Sequence, residues 1–136
     1  MKLFSSKYFL VSLLAIQLSF ISCTTNKSVV QQGSIVHHIA LFWLNEPGDQ
    51  STIKRITDAS KSFSDIPGVL NVVVGTSVPS DRPVVDDSFD VAVIITFSDE
   101  QAYHNYLKNP KHLNAVEHLL KHFVRKIIVY DISNTP

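Results

Sequence analysis

A chain of 136 residues with twelve basic and twelve acidic side chains has room for one small core and lacks the basic excess of a nucleic-acid surface, so no nucleic acid is expected. Its single cysteine excludes a disulfide framework and a zinc-thiolate cluster, and neither a metal nor a cofactor is expected.

Residues 1–22 are expected to be a signal peptide. Lys2 and Lys7 precede an apolar run from Tyr8 to Ile21 that Ser12, Gln17 and Ser19 interrupt, and the run is shorter than the about 20 residues a comfortable membrane span requires. It closes on Phe20-Ile21-Ser22-Cys23, which resembles a bacterial lipobox. Cys23 is therefore the expected lipidation site, and a plain secretory cleavage leaving a free thiol is the alternative. The protein is then exported from a bacterial cytoplasm and membrane-anchored, facing the periplasm or the cell exterior. Each acyl methylene buried in the bilayer contributes about 0.8 kcal/mol to that anchoring. Residues 23–33 lack periodicity and most large apolar groups and read as a tether.

Residues 34–136 form the domain. Ser34 to Leu44, SIVHHIALFWL, reads as a strand by its branched and aromatic residues, with both faces apolar. After a turn at Asn45 to Asp49, the spacing of Ile53, Ile56, Ala59 or Ser60, and Phe63 predicts a helix from about Ser51, closed off by Ile66-Pro67-Gly68. Val69 to Val78 is the second predicted strand, Pro79 to Ser88 a solvated loop, and Phe89 to Phe97 the third strand. Ser98-Asp99-Glu100-Gln101 matches a capping box that starts a helix. Pro110 ends that helix near Lys108, and Asn109 caps the next one. There Leu113, Val116, Leu120, Phe123 and Val124 are expected to line one face, before a last strand from Lys126 to Ile132.

This order predicts an α+β fold: a ferredoxin-like split βαβ unit with a four-stranded antiparallel sheet and its helices on one face. The strands are apolar on two sides while the helices cover one. The second face is expected to pack on the same face of another copy, giving a homodimer, with a membrane-facing surface as the lesser reading.

The chain from Val36 to Ile132 resembles the stress-responsive dimeric α/β-barrel, or Dabb, domain. The resemblance is carried by HHIALFWL, IPGVLNVVVGTSV, FDVAVIITFSDEQAYHNYLKNPKH and IIVYDI. It implies a dimeric α/β barrel with a pocket between sheet and helices. Family members include heat-stable plant proteins and a cofactor-independent cyclase acting by aldol condensation. In that cyclase a tyrosine and a histidine carry the chemistry, and the resemblance puts them at Tyr106 and His112. It also implies a substrate-binding lining of His38, Ala40, Phe42, Val72, Val91 and Val93. Asn109 and Val91 stand where relatives carry histidine.

The Tyr106 and His112 pair also makes chemical sense by itself. His112 falls in the first turn of a helix, whose positive end favours the neutral imidazole a general base needs, and the Tyr106 phenol can donate to a carbonyl oxygen. The plainer reading makes Tyr106 a core residue and His112 a helix-start residue. His38 fits a satisfied core histidine as well as a ligand contact, and His37 on the opposite face suits a dimer interface. Trp43 suits core or interface. His118 with His122, and Asp86 with Asp87, read as solvated side chains rather than metal ligands. Three functions are consistent with these features: a binder of a small, mostly apolar carbonyl compound, a cyclase or lyase using Tyr106 and His112, and a structural stress-response protein without ligand.

Overall fold

The computed structural model describes residues 34–134; the expected signal peptide, Cys23 and the tether lie outside them. β1, Val36–Leu44, alternates as a half-covered strand must: Val36, His38, Ala40, Phe42 and Leu44 are all buried against the helices. Asp90 ties the turn that follows, its two carboxylate oxygens accepting the amides of Leu44 and Gly48 at 2.7 Å each. α1, Gln50–Lys61, starts just ahead of its apolar pattern because the Asp49 side chain accepts the amides of Ser51 and Thr52. The chain then tightens into a 3₁₀ turn, Ser62–Asp65, which places Phe63 in the core.

β2, Val69–Gly75, and β3, Val91–Phe97, are shorter than their apolar runs, and the residues between them form one long loop. Gly68 enters β2 at φ +86°, and a Cβ there would lie 2.4 Å from the Cβ of Ala102 on the next helix. Glycine thus permits both the left-handed backbone and the close approach of that helix. The helix, α2, spans Glu100–Leu107, and its cap is Asp99 rather than Ser98. The Asp99 carboxylate accepts the Ala102 amide at 2.8 Å, while the Ser98 hydroxyl donates to Asp99. An ionised acceptor outcompetes a hydroxyl at the positive end of a helix. Gln101 does not reach back to the serine but donates to Asn105.

Asn109 caps α3, Pro110–Ala115, accepting the Lys111 amide at 2.9 Å with Pro110 in the first turn. α3 runs into a π-helical turn, Val116–Leu120, and a last short helix, α4, Lys121–Phe123. The wider turn displaces Leu113 from the packed face, where it had been expected. Leu113 is 52% exposed, and Leu119 is the buried residue of this segment, flanked by Ala115 and Leu120. β4, Val124–Ser133, begins ahead of Lys126 because Val124 already pairs with Leu44.

The sheet order is β2-β3-β1-β4, with every neighbouring pair antiparallel. With the helices on one face, this is the expected ferredoxin-like unit. The opposite face carries Ile39, Leu41, Ile94 and Ile128, and its Val73, Tyr130 and Ile132 are 49%, 54% and 50% exposed. His37 lies there too, its Nδ1 3.1 Å from the Thr96 hydroxyl oxygen. Trp43 shares that face yet is buried within the chain itself. Its indole N–H donates to Ser88 at 2.9 Å, Phe89 packs edge-on, and the Lys126 ammonium sits 3.9 Å from its ring centre. Among the described residues, no helix is long and apolar enough to cross a membrane.

Candidate functional site

A cavity of about 330 Å³ opens between the helices and the β1-β4 half of the sheet. Besides Ser60 of α1, its polar side chains come from four elements, and each of these is placed for a local reason. His38 points toward the helices because it alternates with Val36 and Ala40 on β1. Directly across from it in the antiparallel register is Asp131 of β4. The His38 Nδ1 lies 2.7 Å from Asp131 Oδ1, and the Tyr103 hydroxyl donates to Asp131 Oδ2 at 2.9 Å. A carboxylate only accepts, so the proton of this imidazole sits on Nδ1 and its Nε2 is left as the free atom.

Tyr106 is one turn beyond Tyr103 on α2 and is 2% exposed. Its ring is the centre of an aromatic cluster, 5.0 Å from Phe97, 5.5 Å from Phe63, 5.9 Å from His38 and 4.4 Å from His112. Burial, with a smaller contribution from the nearby Tyr103, pushes the Tyr106 hydroxyl well above the ordinary phenol value, so it stays a proton donor. No hydrogen bond joins that hydroxyl to another described residue, and Tyr106 lines the cavity. Tyr103 is raised to about 12 by burial first and then by its bond to Asp131.

His112 owes its position to the Asn-Pro break. α2 stops at Leu107, and the Lys111 amide that a continuous helix would turn toward the Leu107 carbonyl is taken by Asn109. The His112 ring supplies the missing donor, its Nδ1 standing 3.3 Å from that carbonyl oxygen. The Nε2 is again the open nitrogen. Burial lowers the His112 pKa, outweighing the bond to Leu107, so the ring is neutral at physiological pH. The imidazole is thus neutral as expected, with desolvation as the chief cause.

Of the expected lining residues, His38, Ala40, Phe42, Val93, Tyr106 and His112 border the cavity. Val72 and Val91 do not. The cavity lies over β1 and β4, whereas Val72 sits on the far edge strand opposite Ile95, and Val91 is fully buried opposite Phe42. His118 and His122 are exposed and border separate surface grooves. Asp86 accepts the amide and hydroxyl of Ser88, and Asp87 accepts the Ser80 amide, both as turn residues. Among the described residues, no three His, Cys, Asp or Glu side chains gather into a metal cluster. Sequence reasoning missed Tyr103 and Asp131. Its available signal was a lone acid in a strand, two residues beyond Val129 and in step with Ile127.

Residues 36–134 match the model of the stress responsive A/B barrel domain, Dabb. Three solved structures are similar in fold. A Dabb-family protein with a ferredoxin-like fold from Mesorhizobium loti is 24% identical, with 76% of this chain and 99% of that one covered, at a TM-score of 0.62. The hydroxynitrile lyase of Passiflora edulis is 22% identical, with 74% and 94% covered, at 0.64. A dimeric ferredoxin-like protein of unknown function from Bacteroides fragilis is 18% identical, with 74% and 96% covered, at 0.61. No match is found among curated proteins.

Proposed function

The chain belongs to the stress responsive A/B barrel (Dabb) family, and from that premise we propose that it is an exported, lipid-anchored homodimer that binds a small, mostly apolar carbonyl compound. One observation carries the ligand reading: the hydroxyl of Tyr106, whose side chain is otherwise packed in the core, opens onto an apolar cavity and has no partner among the described residues to donate to. A carbonyl oxygen entering the cavity would accept that hydrogen bond as its alkyl or aryl remainder covers the apolar walls. A packed, ligand-free structural protein would have filled the same space with side chains. The half-exposed Val73, Tyr130 and Ile132 on the outer sheet face support the homodimer, as does the dimeric description of the Bacteroides fragilis structure. Export and acylation at Cys23 rest on the FISC segment, and mass spectrometry of the parent against Cys23→Ala tests them through loss of the acyl mass.

The test of binding is a thermal-shift screen of ketones and aldehydes against the parent and Tyr106→Phe. Ligands that raise the melting temperature of the parent should lose most of that effect in the variant. Equal shifts in both would remove Tyr106 from the site.

A second reading, a cofactor-free cyclase or lyase, is favoured by the pair of imidazoles with free Nε2 atoms beside a protonated phenol. His112 takes a proton from the carbon next to the carbonyl, Tyr106 donates to the oxygen as the enolate forms, and the carbanion is then reprotonated or attacks a second carbonyl. The fold relative from Passiflora edulis is a hydroxynitrile lyase. Hydrogen-deuterium exchange at the α-carbon of a bound ketone, followed by NMR, reads the first step without knowledge of the natural substrate. His112→Gln should abolish catalysed exchange, and exchange at the parental rate would refute His112 as the base.

A further inference from the structure

We propose that this cavity selects an uncharged ligand bearing an extended alkyl or aryl tail over the corresponding carboxylate. The inference rests on the ligand reading above and gives that ligand its charge and shape.

Apart from Ser60 on α1, the polar groups are gathered at one end. Along the β1-β4 pairing the facing residues run Asp131 with His38, then Val129 with Ala40, then Ile127 with Phe42. All six border the cavity, so the lining changes from hydrogen-bonding to purely apolar along one line. Strands rise about 3.3 Å per residue, and the slot from Asp131 to Ile127 is therefore about 13 Å long. Ile127 and Val129 are 45% and 43% exposed although they lie on the helix-facing side, so the slot is open along β4. Val116 and Leu120 of the wide turn also border it. A methyl ketone with a short chain would leave this slot wet, whereas a longer tail would cover it.

Charge at the polar end works against an anion. No lysine or arginine borders the cavity, and the one obligate charge there is the Asp131 carboxylate. The imidazole that faces it, His38, already spends its Nδ1 on that carboxylate. His112 is neutral in its buried setting. A carboxylate entering this end would meet a like charge with no lysine or arginine to compensate, while a ketone oxygen needs only the Tyr106 donor.

The test is calorimetric titration of the mature chain at neutral pH with methyl hexyl ketone, octanoate and acetone, repeated with Asp131→Asn. Asp131 is exposed on an edge strand, so this variant keeps the fold. The ketone should bind at least about tenfold more tightly than octanoate, and at least about tenfold more tightly than acetone. Asp131→Asn should narrow the gap between ketone and octanoate by at least about threefold. Octanoate binding as well as the ketone, or an unchanged gap in Asp131→Asn, overturns the charge selection and leaves the ligand site standing. Acetone matching methyl hexyl ketone overturns the tail. Absence of binding by any of the three removes the ligand reading and this inference with it.

Discussion

The rings of Tyr106 and His112 lie with centroids 4.4 Å apart although the Asn109-Pro110 break divides them in the chain. The contact exists because the interrupted helix leaves the Leu107 carbonyl to the imidazole, which draws the ring back over the end of α2. Tyr106 can then be separated into two parts, a ring that packs and a hydroxyl that does not pair. Tyr106→Ala should cost about 3–5 kcal/mol by opening a hole among Phe63, Phe97 and His112. Tyr106→Phe should change stability by no more than about 1 kcal/mol, because no protein bond is lost. Urea unfolding of both variants checks this, and a large loss in the phenylalanine variant would reveal a hidden partner for the hydroxyl.

Acid should loosen the same region. The His112 pKa lies below its ordinary 6.5 in the folded chain, so on acidification the unfolded chain takes up a proton the folded one resists. The stabilising contribution is complete above about pH 6.5 and is lost as the pH falls toward the depressed folded value. Melting temperatures measured from neutral to mildly acidic pH should fall less steeply for His112→Gln than for the parent. Parallel slopes would mean that the folded imidazole is not held neutral.

Gly68→Ala should destabilise by at least about 2 kcal/mol, since the new methyl meets Ala102 in a left-handed backbone. Gly48→Ala, at φ +76° but with open space around it, should cost less. Chemical denaturation of the pair separates backbone strain from the helix contact.

On the uncovered sheet face, Ile94 stands opposite Ile39 and Val73 near the middle of the sheet. Ile94→Asp should convert the proposed dimer to monomer by light scattering, with far-ultraviolet circular dichroism retained. A dimer of undiminished affinity would place the contact elsewhere.

The sequence made β1 legible because both of its faces are apolar at period two, and it made His112 legible because Asn-Pro can be read as cap and first turn without any knowledge of packing. Other features depended on partners far along the chain. Asp131 reads as an ordinary edge-strand acid until the antiparallel register sets it opposite His38. Tyr103 reads as one more helical aromatic until its hydroxyl meets that carboxylate. The shift of the cap from Ser98 to Asp99 was ambiguous for a different reason: both are good caps, and only the competition between hydroxyl and carboxylate decides. Val72 and Val91 were placed near the ligand by the family resemblance, which does not say which half of this sheet the helices leave open.

The wide turn at Val116–Leu120 gives the segment a slack that regular helix lacks. A regular helix advances about 100° per residue, so excising one residue from α3 would swing the imidazole through roughly that angle relative to the final strand. Excising one residue within the wide turn would instead let the coil close to ordinary pitch and leave both flanks in register. A one-codon loss is therefore absorbed in this short stretch, whereas the same loss one turn earlier would re-aim the wall of the hollow at a stroke.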